Sequence, residues 1–431
     1  MVKVRNLFYA DIQKQISSGR RRQHTEKEAW EMGTMDKLEE RIAAEIRGNR
    51  LPGLAVRIGR NGEVLYQNCF GYADVEQKVP VAQDTIYRFM SMTKSVIAAG
   101  ILFLVEEGKL SLDDRLETYY PVFGKTEAAD PSLMQLPAEG IEELARKNGR
   151  LSFEDVDRMP LVRPILIRDL LSHSSGLGMG PLGMAISNQS VQSGDTLDDR
   201  IAKWGNTLCC DTQPGEFAMY SPMVAFDILG GIIQKASDMP LDEFLGQKLF
   251  GPLEMKDTCF FLNEEQKTRL AKLYECRDGK MTDVTGTSVD VTIFATPGYC
   301  SGGGGLYSTV VDYGNFAQML AGNGLYQGQQ ILKKETVELM HTQAQPKEIL
   351  TYMPGAEWGL GVLIWKDPGI MRKGTTAGTY GWSGGFGTHF FVDPSTGLEG
   401  VVAQNISNVE GVGQFTPLNM EIEKAAFEAF S

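Results

Sequence analysis

The run Val96-Ile97-Ala98-Ala99-Gly100-Ile101-Leu102-Phe103-Leu104-Val105 constrains the fold of this chain more than any other stretch. A helix that is apolar on every side needs burial on every side, so this segment reads as a buried helix, closed by Glu106-Glu107-Gly108. Just ahead of it stands Ser91-Met92-Thr93-Lys94, the only S-x-x-K in 431 residues. Residues three apart share one helix face, which puts the Ser91 hydroxyl beside the Lys94 amine at a helix start. A serine hydroxyl is a weak nucleophile and needs a base close by. A helix start also offers free N–H groups and a positive dipole end to a developing oxyanion. The tetrapeptide alone fits equally an N-capping Ser followed by an exposed Lys, so the rest of the chain has to decide.

Bulk properties exclude several classes. A chain of 431 residues, 42% hydrophobic and 23% charged, has room for two or three domains, or for one large core with an inserted subdomain. A net charge of −13 argues against a nucleic-acid partner, because phosphate binding wants a basic face. The basic cluster Arg20-Arg21-Arg22 reads as a solvated helix face. Cys69, Cys209, Cys210, Cys259, Cys276 and Cys300 form no C-x-x-C pair and read as free thiols in a reducing compartment. His24, His173, His341 and His389 show no ligand spacing, so no zinc is expected. Neither an apolar leader nor an apolar stretch of about 18 residues is present, so the expected location is cytoplasmic with no membrane partner.

Along the chain, residues 1–34 are polar and read as an extension. Met35 to Arg47 is amphipathic, with Leu38, Ile42 and Ile46 at spacing four. Leu54–Ile58 and Glu63–Gln67 flank Asn61-Gly62, a strong hairpin signal. Strand patterns fade over residues 111–289, where helical segments joined by Pro and Gly take over. Lys125 to Pro160 reads as a charged surface insertion, and Gly178 to Ser193 as a lip or plain loop. From residue 290 strands return, with Trp358 to Trp365 and Thr388 to Val392 as candidates and Glu421 to Phe430 as a closing helix. The expected architecture is an α/β domain from residues 35–110 and 290–431, with a mainly helical subdomain, 111–289, inserted in the middle.

Two further motifs suit a Ser/Lys enzyme. Tyr220 follows the Pro214-Gly215 turn and precedes an apolar helix, Val224 to Ile233. Its phenol has a reference pKa near 10, which a neighbouring ammonium favours losing. The alternative is a Tyr packed in the helical subdomain. The second motif is Tyr380-Gly381-Trp382-Ser383-Gly384-Gly385-Phe386-Gly387-Thr388-His389. Its glycines let a strand approach a ligand closely, and the N–H groups of Ser91 and Gly385 would be the two donors that an oxyanion hole needs. The alternative is a Gly-rich bulge between strands. His173, with Asp169 and three serines nearby, mimics a Ser-His-Asp set. No G-x-S-x-G elbow accompanies it, and His173 reads as a buried residue fixing its loop.

These pieces resemble the serine β-lactamase and penicillin-binding-protein superfamily, and more closely its class C-like branch with family VIII carboxylesterases. Landmarks in family order include Thr85–Met90, Gly108–Asp114, Ile167–Leu177, Phe250–Thr258 and Ser301–Thr309. The resemblance implies an antiparallel sheet flanked by helices in the β-lactamase/transpeptidase manner. It implies that Ser91 is the acylated nucleophile, that Lys94 and Tyr220 share the proton work, and that Trp382, Ser383 and Gly384 line the substrate. It implies no metal or cofactor. Two departures carry information. Where the branch often has Y-x-N, Tyr220 is followed by Ser221-Pro222, with no side-chain amide. Where many members have K-T-G, this chain has Trp382-Ser383-Gly384, an indole without charge. The expected substrate is therefore a small-molecule ester with a short or medium acyl chain. Amide-directed activity (a β-lactamase, D-peptidase or acyltransferase) and a non-catalytic binder of the same fold are the alternatives.

Overall fold

The computed structural model describes residues 26–135, 137–277, 279–290, 298–342, 354–407 and 416–430. Most of the extension expected at 1–34 therefore lies outside the described residues. Helix α1 (Glu26–Arg47) leads into the hairpin of β1 (Gly53–Arg60) and β2 (Glu63–Asp74). Asn61 and Gly62 have φ of 52° and 85°, the left-handed pair that a two-residue hairpin turn requires, and Arg60 faces Glu63 across it. Strand β3 (Val79–Pro80) follows, and then the central helix α2 (Thr93–Glu106).

Later come helices α3 (Pro181–Ser190), α4 (Val224–Ser237) and α5 (Val310–Ala321). The chain then returns to strands β4 (Ala356–Trp358), β5 (Leu363–Trp365), β6 (Tyr380–Ser383), β7 (His389–Asp393) and β8 (Leu398–Ala403), and ends in α6 (Pro417–Phe430). These strands make one sheet in the order β4-β5-β6-β7-β8-β1-β2-β3. Every pairing in it is antiparallel. Among the described residues, none of its strands lies between Pro80 and Ala356. The intervening chain contributes helices and short antiparallel strand pairs, among them Glu127–Ala129 with Arg158–Pro160, Tyr274–Arg277 with Lys280–Asp283 and Leu325–Tyr326 with Gln329–Gln330.

Alternation along the strands assigns the two faces of the sheet. Leu54, Val56, Ile58, Phe391 and Val402 pack with Leu38 and Ile42 of α1 and with Ile422, Ala426 and Phe427 of α6. Ala55, Phe390, Val401 and Trp382 join the larger core on the other face, with α2, α4 and α5. Helix α2 runs through that core with Val96 to Leu102 wholly enclosed, as its all-round apolar sequence requires.

Three local outcomes differ from the expectations. Ser91 sits in a short 3-10 turn, Met90–Met92, and the α-helix proper starts at Thr93. Residues 181–190 of the expected lip are helical, started by Pro181 in the first turn, where its missing N–H costs nothing. The stretch from Trp358 to Trp365 is two strands, broken at Gly359 and Gly361. At Gly361, φ is +75° and a Cβ would stand 2.4 Å from the Ala98 Cβ, so only glycine lets this turn press on α2. All six cysteines are free thiols. Among the described residues, no helix is long and apolar enough to cross a membrane.

Candidate active site

Ser91, Lys94 and Tyr220 converge. The Tyr220 hydroxyl donates to Ser91 Oγ at 2.6 Å, and Lys94 Nζ lies 3.2 Å from the same oxygen. Ser91 is 8% exposed, so little of it meets solvent. Met90, directly before it, has φ of +50°, a left-handed conformation that is costly for a side-chain-bearing residue. The surrounding packing holds that strain and turns Ser91 into the first turn, where backbone N–H groups lack helical partners.

Lys94 is 1% exposed, and two main-chain carbonyls hold it, Pro222 O at 2.7 Å and Gly303 O at 2.6 Å. An ammonium has three donors. Two are committed to carbonyls, so the third position points at Ser91 Oγ, and loss of one proton leaves a lone pair facing that oxygen. The absent Asn of the Y-x-N pattern is thus replaced, for Lys94, by the backbone at Pro222. Gly303 is fixed in turn by Asp227 of α4, whose carboxylate accepts from the Gly303 N–H and the Ser301 hydroxyl, each at 2.8 Å, and from the Tyr299 hydroxyl. Burial pushes the Asp227 carboxyl up, and these donors pull against that shift.

His173 splints Tyr220 from both sides. The Met219 N–H donates to the His173 carbonyl at 2.8 Å, and the Ser221 N–H donates to His173 Nδ1 at 3.1 Å. An accepting Nδ1 places the ring proton on Nε2. Burial, and secondarily the Lys94 charge, hold the His173 pKa well below its ordinary value, so the ring is neutral. The structure keeps His173 in the loop-fixing role read from the sequence. Around the phenol stands an aromatic box. Tyr220 stacks on Trp358 with centroids 5.8 Å apart and lies 5.1 Å from Trp382, and Trp358 meets Trp382 edge-on at 4.6 Å. Trp358 read only as the start of a strand in the sequence. Nothing in its local pattern signals a neighbour of Tyr220.

Strand β6 carries Trp382 and Ser383, whose side chains leave opposite faces of the sheet, and Gly384 follows at its end. The Trp382 ring is 1% exposed beneath Tyr220 and Trp358, so it acts on the site chiefly by bracing the phenol. Ser383 points to the opposite sheet face, where its Oγ lies 2.8 Å from His389 Nδ1. Gly384 touches the segment that leads to Ser91, since a Cβ there would lie 2.4 Å from the Phe89 carbonyl oxygen. Gly385 is the exposed residue of the turn that follows, and a Cβ there would meet nothing within 4 Å.

The lip is anchored by Asp211, which the sequence reading passed over. Its carboxylate accepts from the N–H groups of Met179 and Gly180, each at 2.9 Å, and of Gly183 at 3.2 Å, at the start of α3. Burial raises its pKa to about 6 against the pull of those three bonds. At Gly183 a Cβ would stand 2.3 Å from the carboxylate, so the helix closes onto Asp211 only because glycine is there.

The family profile for beta-lactamase matches residues 35–420. The chain belongs to the beta-lactamase family. Within it, the Rv1367c protein of Mycobacterium tuberculosis is 33% identical over 366 residues, covering 81% of this chain and 84% of that protein. Esterase EstB of Burkholderia gladioli is 27% identical over 406 residues, covering 89% and 92%. The solved structure of EstCE1, described as a hydrolase with promiscuous acyltransferase activity, superposes with a TM-score of 0.73 at 24% identity, covering 92% of this chain and all of that one. Family membership and fold together make this beta-lactamase-family chain a serine hydrolase.

Proposed function

We propose that the chain is a carboxylesterase for esters of short or medium acyl groups, working through an acyl-enzyme on Ser91. The observation that carries this reading is the Ser91 oxygen lying between the Tyr220 hydroxyl at 2.6 Å and Lys94 Nζ at 3.2 Å. In the proposed mechanism the Ser91 hydroxyl gives its proton to the Lys94–Tyr220 pair as Oγ bonds to the ester carbonyl carbon. The N–H groups of Ser91 and Gly385 stabilise the resulting oxyanion. The carbon–oxygen bond to the leaving group then breaks, and the pair returns the proton to the departing alcohol. A water molecule repeats the sequence on the acyl-enzyme, releasing the acid and Ser91.

Esters are favoured over β-lactams or D-alanyl peptides by the residue at 382. An indole stands where a carboxylate-binding Lys would, and Lys94 is committed to two carbonyls and Ser91. The esterase among the relatives points the same way. The test is a side-by-side rate assay of p-nitrophenyl butyrate and nitrocefin on wild type and Ser91→Ala. Ester cleavage that disappears in the variant, with little nitrocefin turnover, is the expected result. Fast nitrocefin turnover moves the chain to the β-lactamases, and ester turnover retained in Ser91→Ala removes the nucleophile assignment.

A further inference from the structure

We propose that Asn419 and Glu423, one turn apart on α6, are positioning residues that hold the 384–388 turn against the nucleophile's segment. This rests on the reading of Ser91 and Gly385 given above. Residues four apart on a helix share a face, and both of these side chains are fully buried. Asn419 Nδ2 donates to the Gly387 carbonyl at 2.9 Å. Gln404 Nε2 donates to the same carbonyl at 2.8 Å and lies 3.2 Å from Asn419 Oδ1. One turn further on, Glu423 Oε2 lies 2.9 Å from His389 Nε2 and is ion-paired with Arg372. On its other side the imidazole meets the Ser383 hydroxyl, with Nδ1 2.8 Å from Oγ.

Ser383 and His389 are the last cross-strand pair before the turn. The helix therefore grips the turn twice, at its closing pair through Glu423 and at its far side through Asn419. The opposite flank of the turn meets the nucleophile's segment, where Thr388 Oγ1 donates to the Phe89 carbonyl at 3.1 Å. The turn is thus clamped between α6 and the residues leading to Ser91, with Gly385 at its exposed tip. The remaining buried face of α6 is Ile422, Ala425, Ala426, Phe427 and Ala429, so apolar residues alone suffice for packing. Burying the Glu423 carboxylate costs stability that an apolar residue in its place would not cost, and what the network supplies is a fixed geometry. Fixed geometry is what an oxyanion donor needs, since misplacement by about 1 Å costs up to about a hundredfold in rate.

The test uses the full chain with Asn419→Ala and Glu423→Gln. It reads kcat and KM on p-nitrophenyl butyrate, affinity for an alkylboronic acid that adds to Ser91, and the folded fraction by circular dichroism at the assay temperature. The expected result is a loss in kcat on the order of tenfold or more. KM should stay nearly constant, and boronate affinity should fall in step with kcat, as loss of transition-state binding requires. Unchanged kcat and boronate affinity in folded variants overturn the proposal. So does a loss of kcat accounted for by the unfolded fraction. If Glu423→Gln fails to fold, Asn419→Ala decides, because Gln404 still satisfies the Gly387 carbonyl while the tether to α6 is cut. Ester turnover surviving in Ser91→Ala refutes the underlying reading of the site, an outcome separate from either result on Asn419.

Discussion

The Lys94 ammonium is held at 2.7 Å by the main-chain carbonyl of Pro222, a residue whose side chain offers no hydrogen bond at all. Backbone identity, not side-chain identity, matters at that position. Pro222→Ala is therefore expected to keep kcat within a few fold of wild type. Lys94→Ala should lose at least about a hundredfold, the scale of acid–base assistance. Initial rates on p-nitrophenyl butyrate check both, and a Lys94→Ala enzyme of wild-type speed refutes the proton role.

Removing the Tyr220 hydroxyl takes away its bond to Ser91 Oγ and leaves the one from Lys94 Nζ. Tyr220→Phe keeps the ring in its aromatic box and should cost at least about a hundredfold in kcat with little change in melting temperature. A loss of stability as large as the loss of rate would instead point to a packing role.

Trp358 and Trp382 brace that phenol, and both are nearly enclosed. Trp358→Ala should cost about 3–5 kcal/mol of stability, the range for deleting a large buried aromatic, and lower kcat as Tyr220 gains freedom. Trp382→Lys puts an ammonium into the same box and is expected to slow neutral esters while raising the rate on carboxylate-bearing ones relative to them. Denaturant unfolding and paired rate assays measure these effects. A clean switch of preference to carboxylate-bearing substrates shows that residue 382 contacts the substrate directly.

Glu399 gives a pH signature. Burial raises its pKa to about 8, against the pull of the Arg57 charge and the Gly59 N–H. The folded state thus holds a proton that the unfolded chain releases near pH 4. Its contribution to stability is present at low pH and is lost as pH rises through that window towards 8. Glu399→Gln should flatten the fall in urea midpoint between pH 5 and pH 8 relative to wild type. An identical slope in the variant refutes the assignment.

Asp211 ties down the first turn of α3 with three backbone bonds. Asp211→Asn has one acceptor oxygen in place of two and cannot keep all three with charge assistance. The expected effect falls on KM for longer acyl esters more than on kcat for acetate. Rates across a p-nitrophenyl ester series check this, and a uniform change at every chain length removes the lip from acyl selection.

Much of this was legible in the sequence because it depends on local signals. The all-apolar run announced α2, Asn61-Gly62 announced a hairpin in register, and the glycines after Trp382 announced a close approach, expected towards a ligand and found at Gly384 against the Phe89 carbonyl. What stayed hidden depends on contacts between distant segments. Trp358 carries no mark of its proximity to Tyr220, and the support for Lys94 comes from carbonyls, which every residue possesses. Asp211 reads as one acid among 55 until α3 folds onto it. Asn419 and Glu423 lie on a helix whose apolar pattern, seen alone, explains its burial.

The sheet joins residues that are far apart along the chain, as the bond from the Gly59 N–H to Glu399 shows, with 340 positions between donor and acceptor. During synthesis the first hairpin therefore emerges long before the strand that covers its edge. At about 5–20 residues per second the wait is on the order of tens of seconds. Through that interval β1 offers an unpaired, apolar edge to any other strand. High contact order makes the final closure slow as well. For this protein the hazard on the way to an active enzyme lies in a waiting nascent chain, and chaperone supply or slower translation near its end should govern yield more than the stability of the finished fold.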